Sequence, residues 1–154
     1  MNSHSKSIWD TLLITAQRKS GTAHSTLQKA QLRKEQALGR RKKIEQLIRE
    51  YTERLRLLQN ENHSTAEATN YRQFIAQLQD INQRTSHEIK QAALVYSQAQ
   101  TALLAAEQER LKHQKLVQRA ADKQHKIQHI ADIKALDSQS TIQFNLKNKT
   151  HQQR

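Results

Sequence analysis

Cysteine and proline are absent from this 154-residue chain, glycine occurs only twice, and aromatic residues make up 4%. Each absence excludes something. Without cysteine there are no disulfides and no thiolate metal sites, as expected of a chain kept in a reducing compartment. Without proline, and with Gly21 and Gly39 as the only glycines, almost nothing interrupts a helix. A 35% hydrophobic content with so few aromatics is too little for a globular core of this length. The longest apolar runs, Leu12 to Ile14 and Ala92 to Val95, are far too short to span a membrane. The first residues (Met1, Asn2, Ser3, His4, Ser5, Lys6) lack the apolar centre of a signal peptide. A soluble intracellular chain is expected.

What is present is a 3-4 spacing of core-type residues. It runs Trp9, Leu13, Ala16, Ser20, Ala23, Leu27, Ala30, Lys34, Ala37, Arg41, Ile44, Ile48, Tyr51, Leu55, Leu58. It resumes at Ile75 with Leu78, Asn82, Thr85, Ile89, Ala92, Tyr96, Ala99, Leu103, Ala106, Arg110, His113, Val117, Ala120, Gln124, Ile127, Ala131. A mean step of 3.5 residues keeps one narrow seam on a partner helix, as in a coiled coil. The fold class that follows is all-α: a long two-helix antiparallel coiled-coil hairpin with a disordered C-terminal tail. Such a hairpin has no cleft, so it works by touching other proteins.

Residues 1–137 are assigned to the hairpin and 138–154 to a polar tail. Helix one is expected over about 8–59, capped by Ser5 or Ser7, with Ser20-Gly21 and Gly39 as soft points. The tip falls at 60–70, where turn formers concentrate and no seam residue occurs. Helix two is expected over about 71–136, giving arms of roughly 75 and 95 Å. A short connection forces antiparallel pairing. One register sets Leu27 against Ala106, Ala37 against Tyr96, Ile44 against Ile89, Leu55 against Leu78 and Leu13 against Ala120, large mostly facing small. It also sets the seam charges Lys34 against Ala99 and Arg41 against Ala92, where a long stem can lie along the groove. With Arg110 and His113, these charges lower stability but discourage wrong pairings.

The net charge of +12 is unevenly spread. Between Glu45 and Glu109 there are nine acids and six bases, which leaves five acids and twenty bases outside. Arg40, Arg41, Lys42 and Lys43 on one arm, and Lys112, Lys115, Arg119, Lys123 and Lys126 on the other, make a cationic end that attracts an acidic partner. Nucleic acid is the rival explanation. Against it, the bases sit on several faces, and only Trp9 and Phe144 offer stacking surfaces there. His125 and His129 stand at i and i+4 but lack the acid of a helix metalloprotease pattern, so solvated helix histidines are the simpler reading. No phosphate-cradling loop and no catalytic constellation occurs. The chain reads as a non-enzyme, with no cofactor and no metal.

After the tip stands Asn70-Tyr71-Arg72-Gln73-Phe74-Ile75-Ala76-Gln77-Leu78. Four large apolar groups crowd two turns while the seam needs only Ile75 and Leu78. Tyr71 and Phe74 are left either to pack at the tip or to bind a partner. The stretch resembles the Asn-Tyr-x-x-Phe-Ile-x-x-Leu signature of the FliJ family of flagellar type III export components. Length, basicity and the hairpin spanning nearly the whole chain are similar too.

The resemblance implies a stalk-like component that binds a hexameric export ATPase and promotes its ring assembly. It also implies contact with the membrane-embedded export gate, handling of export chaperones, and a cytoplasmic place at the membrane beneath the flagellum. The equivalent stalk of a virulence secretion system is the alternative. Carried over, the gate face uses Phe74 and Leu78 with Tyr71, Tyr51 and Leu47. Where the family has a His-like residue, this chain has Thr85. The ATPase face uses Trp9, Arg40, Arg41, Lys42, Lys43, Lys115, Arg119 and Lys123.

Overall fold

A computed structural model describes residues 2–61 and 65–151 as a helical hairpin, and side chains over 8–61 and 65–149. α1 spans Asn2–Asn60 and α2 spans Thr65–His151. The Glu61 N–H donates to the Leu58 carbonyl at 3.3 Å as α1 ends. α1 begins before the Ile8 expected from the pattern, and the side chains of Ser5 and Ser7 lie outside the described residues. Of the expected tip, 62–64 also lie outside them, while 65–70 are already the first turns of α2.

The residues pack into two compact units, one combining Met1–Arg18 with Gln108–Arg154 and the other formed by Lys19–Glu107. In the second unit the seam is narrow and small. Ala30, Ala37, Ala92 and Ala99 are buried together with Leu78, Ser20 and Thr85. Alanine at these positions removes the bulk that would hold two backbones apart, so close packing substitutes for large side chains. Leu27, Ile44, Ile48, Leu55, Leu58, Ile75 and Ile89 flank them half-buried. The one expected seam residue of this unit that turns away is Arg41, which is exposed and paired with Glu45 at 2.8 Å.

The cross-helix pairs in this unit correct the expected register. Ser20 bonds Glu107 where that register puts His113, and Arg40 pairs with Glu88 where it puts Ala93. The Lys34 ammonium lies over the ring of Tyr96, 4.9 Å from its centroid, and not against Ala99. Tyr51 meets Phe74 where that register puts Asn82. Every pair is displaced the same way along α2. The cause is the early start of α2 at Thr65: with a shorter connection, each α1 residue meets a lower-numbered partner.

In the first unit, Ala16 is buried and Trp9, Leu13, Arg110, His113, Leu116, Val117 and Ala120 are half-buried. α2 ends at His151, past the Leu136 that the seam pattern implies. Residues 122–149 are exposed throughout, including Gln124, Ile127 and Ala131 of the expected seam. That stretch is held by its own backbone hydrogen bonds, without cover from other side chains. The polar tail expected from 138 falls inside it.

Candidate partner-binding surfaces

The tip motif builds an aromatic cluster in the second unit. Two turns into α2, Phe74 presents its ring to Tyr51 of α1 edge-on, with centroids 4.6 Å apart and planes at 61°. Tyr71 lies one turn earlier, 5.7 Å from Tyr51 at 47°. Both geometries are those that ring quadrupoles favour. The Arg54 guanidinium sits 5.1 Å from the Tyr51 centroid, where the ring face attracts a cation. Glu67 and Asn70 complete an open recess of about 350 Å³ lined by Tyr51, Arg54, Glu67, Asn70, Tyr71 and Phe74. The floor is aromatic and the rim carries a cation, a carboxylate and an amide. Such a surface suits an apolar side chain flanked by polar backbone.

The residues assigned to this face do not behave alike. Phe74 is 37% exposed and Leu47 38%, so both can be touched. Tyr51 and Tyr71 are half-buried. Leu78 is only 5% exposed and belongs to the seam, so a partner cannot reach it directly. Thr85 is buried as well, its hydroxyl donating to the Ile81 carbonyl at 2.9 Å. Arg54 and Glu67 were not singled out by the sequence. Their signal is positional: Arg54 follows Tyr51 by three residues and Glu67 precedes Tyr71 by four, the spacings that bring helix side chains together.

The basic residues divide between the units. Arg40 to Lys43 belong to the second unit, where Arg40 is engaged by Glu88 and Arg41 by Glu45. Lys42 and Lys43 are exposed. In the first unit, Lys112, Lys115, Arg119, Lys123 and Lys126 are all exposed and recur along α2 at steps of three and four. That spacing places them on one helix face, so over this stretch the charge is a stripe. A groove of about 450 Å³ lies beside it, lined by Gln108, Leu111, Lys112, Lys115, Leu116 and Arg119. Trp9 is half-buried in the same unit.

A polar layer that sequence reasoning passed over closes the far end of the second unit. The buried Ser20 hydroxyl donates to the Glu107 carboxylate, which also lies 3.3 Å from His24 Nε2. Its signal was a serine at a seam position. Among the described residues no group of three or more His, Asp or Glu stands where it could hold a metal ion, and His125 and His129 are exposed. Among the same residues no helix is long and apolar enough to cross a membrane.

A family model described as Flagellar FliJ protein matches residues 9–149. No curated protein and no solved structure matches the chain.

Proposed function

The chain belongs to the FliJ family and is thus a non-catalytic component of the flagellar export apparatus; from that premise we propose that it is a two-ended coupling stalk. One end binds the hexameric export ATPase and promotes ring assembly, and the tip contacts the cytoplasmic part of the export gate at the membrane. Emptied export chaperones are further partners. The observation that carries this reading is Phe74: a large aromatic, exposed on a face the seam does not use and packed edge-on against Tyr51. Exposed aromatics backed by rigid packing are where binding energy concentrates. The α2 stripe from Lys112 to Lys126 supports the other end. Five cations on one face suit an acidic surface and speed its encounter.

Separate variants test the two ends. Lys115, Arg119 and Lys123 changed together to Gln should abolish stimulation of ATP hydrolysis by the purified cognate ATPase, with ring assembly followed by light scattering. Phe74→Ala should keep that stimulation yet lose the gate interaction and motility. Full motility with Phe74→Ala, or no association with the ATPase when both proteins are folded, would sink the reading.

A further inference from the structure

From the last third of α2 we infer that the chain pairs with a second copy of itself, antiparallel, through residues 122–149. This goes beyond the coupling reading and does not rest on it; because the pairing covers Lys123 and Lys126, a second copy competes with the ATPase for that end of the stripe. Every residue of this stretch is exposed. Yet Ile127, Ile130, Ile133 and Phe144 are 43–64% exposed, and their helical angles put them on one side of α2. That side is apolar surface at steps of three and four residues, the spacing of a coiled-coil seam, and all of it is exposed.

The order of side chains specifies what covers it. Set two copies antiparallel about a two-fold axis between Ala135 and Leu136. Ile127 then faces Phe144 of the second copy, and Ile130 faces Thr141. Lys134 meets Asp137, twice by symmetry. The two remaining cations of the face find neutral amides: Lys126 opposite Asn145, and Lys123 opposite Asn148. Among the described residues, no ion pair engages Lys134 or Asp137 within the chain. Parallel pairing in register fails on the same residues, because Lys123, Lys126, Lys134 and Asp137 would each face their own copy. A self-complementary patch of this kind closes as a two-fold dimer and goes no further.

Sedimentation velocity of the full chain across a concentration series tests the pairing. A monomer–dimer equilibrium is expected, lost in Ile130→Glu. Lys134→Asp and Asp137→Lys should each weaken the dimer about tenfold, through two symmetry-related pairs turned repulsive. The double swap should restore it, which a merely structural role for either residue would not produce. Because the chain has no cysteine, introduced thiols report geometry without background. Ile130→Cys mixed with Thr141→Cys should form a disulfide-linked dimer on mild oxidation, while Ile130→Cys alone should not. A monomer persisting to several hundred micromolar (roughly a few hundredfold above micromolar pairing), or Ile130→Cys crosslinking to itself, would overturn the proposal.

Discussion

Phe74 and Leu78 are four residues apart on one helix and have opposite jobs. Leu78 is buried in a seam otherwise made largely of alanine, so truncating it leaves a cavity with little around it to collapse. Leu78→Ala should cost about 2–4 kcal/mol, read as a lower unfolding midpoint in urea. Phe74→Ala removes the edge contact to Tyr51 from a side chain that is 37% exposed, and should lower that midpoint less than Leu78→Ala does while the proposed gate binding is lost. A residue next to this cluster carries the pH dependence. The Glu53 carboxylate takes hydrogen bonds from Arg56 Nε at 3.0 Å and Nη2 at 2.6 Å. That bonding, with the added attraction of the guanidinium, holds Glu53 below the usual carboxylate range against a small opposing effect of desolvation. A depressed folded-state value gives stability that is present above the unfolded carboxylate range and lost as pH falls through the folded one. Both groups are exposed, so solvent keeps the effect on stability small. The Glu53 side-chain carboxyl shift should therefore titrate at lower pH in the native chain than in Arg56→Gln, with the fold unaffected. Equal midpoints would mean that the pair does not persist in solution.

For the two helices, the seam was legible because periodicity depends only on local order. Nearly every residue of the 3-4 ladder from Trp9 to Ala120 is buried or half-buried. Register was not legible. It turned on where α2 starts, and the turn formers around Asn60 to Asn70 misplace that start because Thr65, Ala66 and Glu67 open a helix as readily as they fill a loop. Of the tip site, the aromatic trio was visible as an excess of bulk over what a seam needs. Its polar rim was not, because nothing marks Arg54 or Glu67 until the arms are paired. The two glycines give an element-scale test. A Cβ added at Gly21 or Gly39 meets nothing within 4 Å, and both lie inside α1. No close approach requires glycine at either position, so only its backbone entropy acts. Gly21→Ala and Gly39→Ala should each stabilise the chain by about 0.5–1 kcal/mol, raising the thermal midpoint. A loss of activity in the stabilised double variant would mark these points as flexible for function and not by accident.

The molecule as a whole carries +12, and its charge is segregated along the sequence, so ionic strength separates the ways it can engage a partner. The proposed binding by the Lys112 to Lys126 stripe would be electrostatic and would weaken with salt, because screening acts at about 8 Å in physiological buffer. The proposed binding at the tip would rest on aromatic burial and hardly respond. Affinity for the export ATPase should therefore fall steeply between 50 and 300 mM salt, and affinity for the gate's cytoplasmic part should stay nearly flat, each measured by calorimetry across that range. The same stripe makes nucleic acid the competitor to exclude at this scale. A duplex of arbitrary sequence also releases counterions, with a slope close to the number of phosphates neutralised. Five cations on the stripe contribute a slope of about four to five, as for nonspecific binding, which is typically weak at physiological salt. Changing Lys115, Arg119 and Lys123 to Gln should lower both salt slopes by about three. The proposed coupling role predicts that at 150 mM salt the ATPase complex survives (roughly one Debye length of 8 Å still bridges close charges) while retention on duplex DNA does not. If the DNA complex were instead the tighter of the two at that ionic strength, the charge of this chain would have to be reassigned from coupling to nucleic-acid binding.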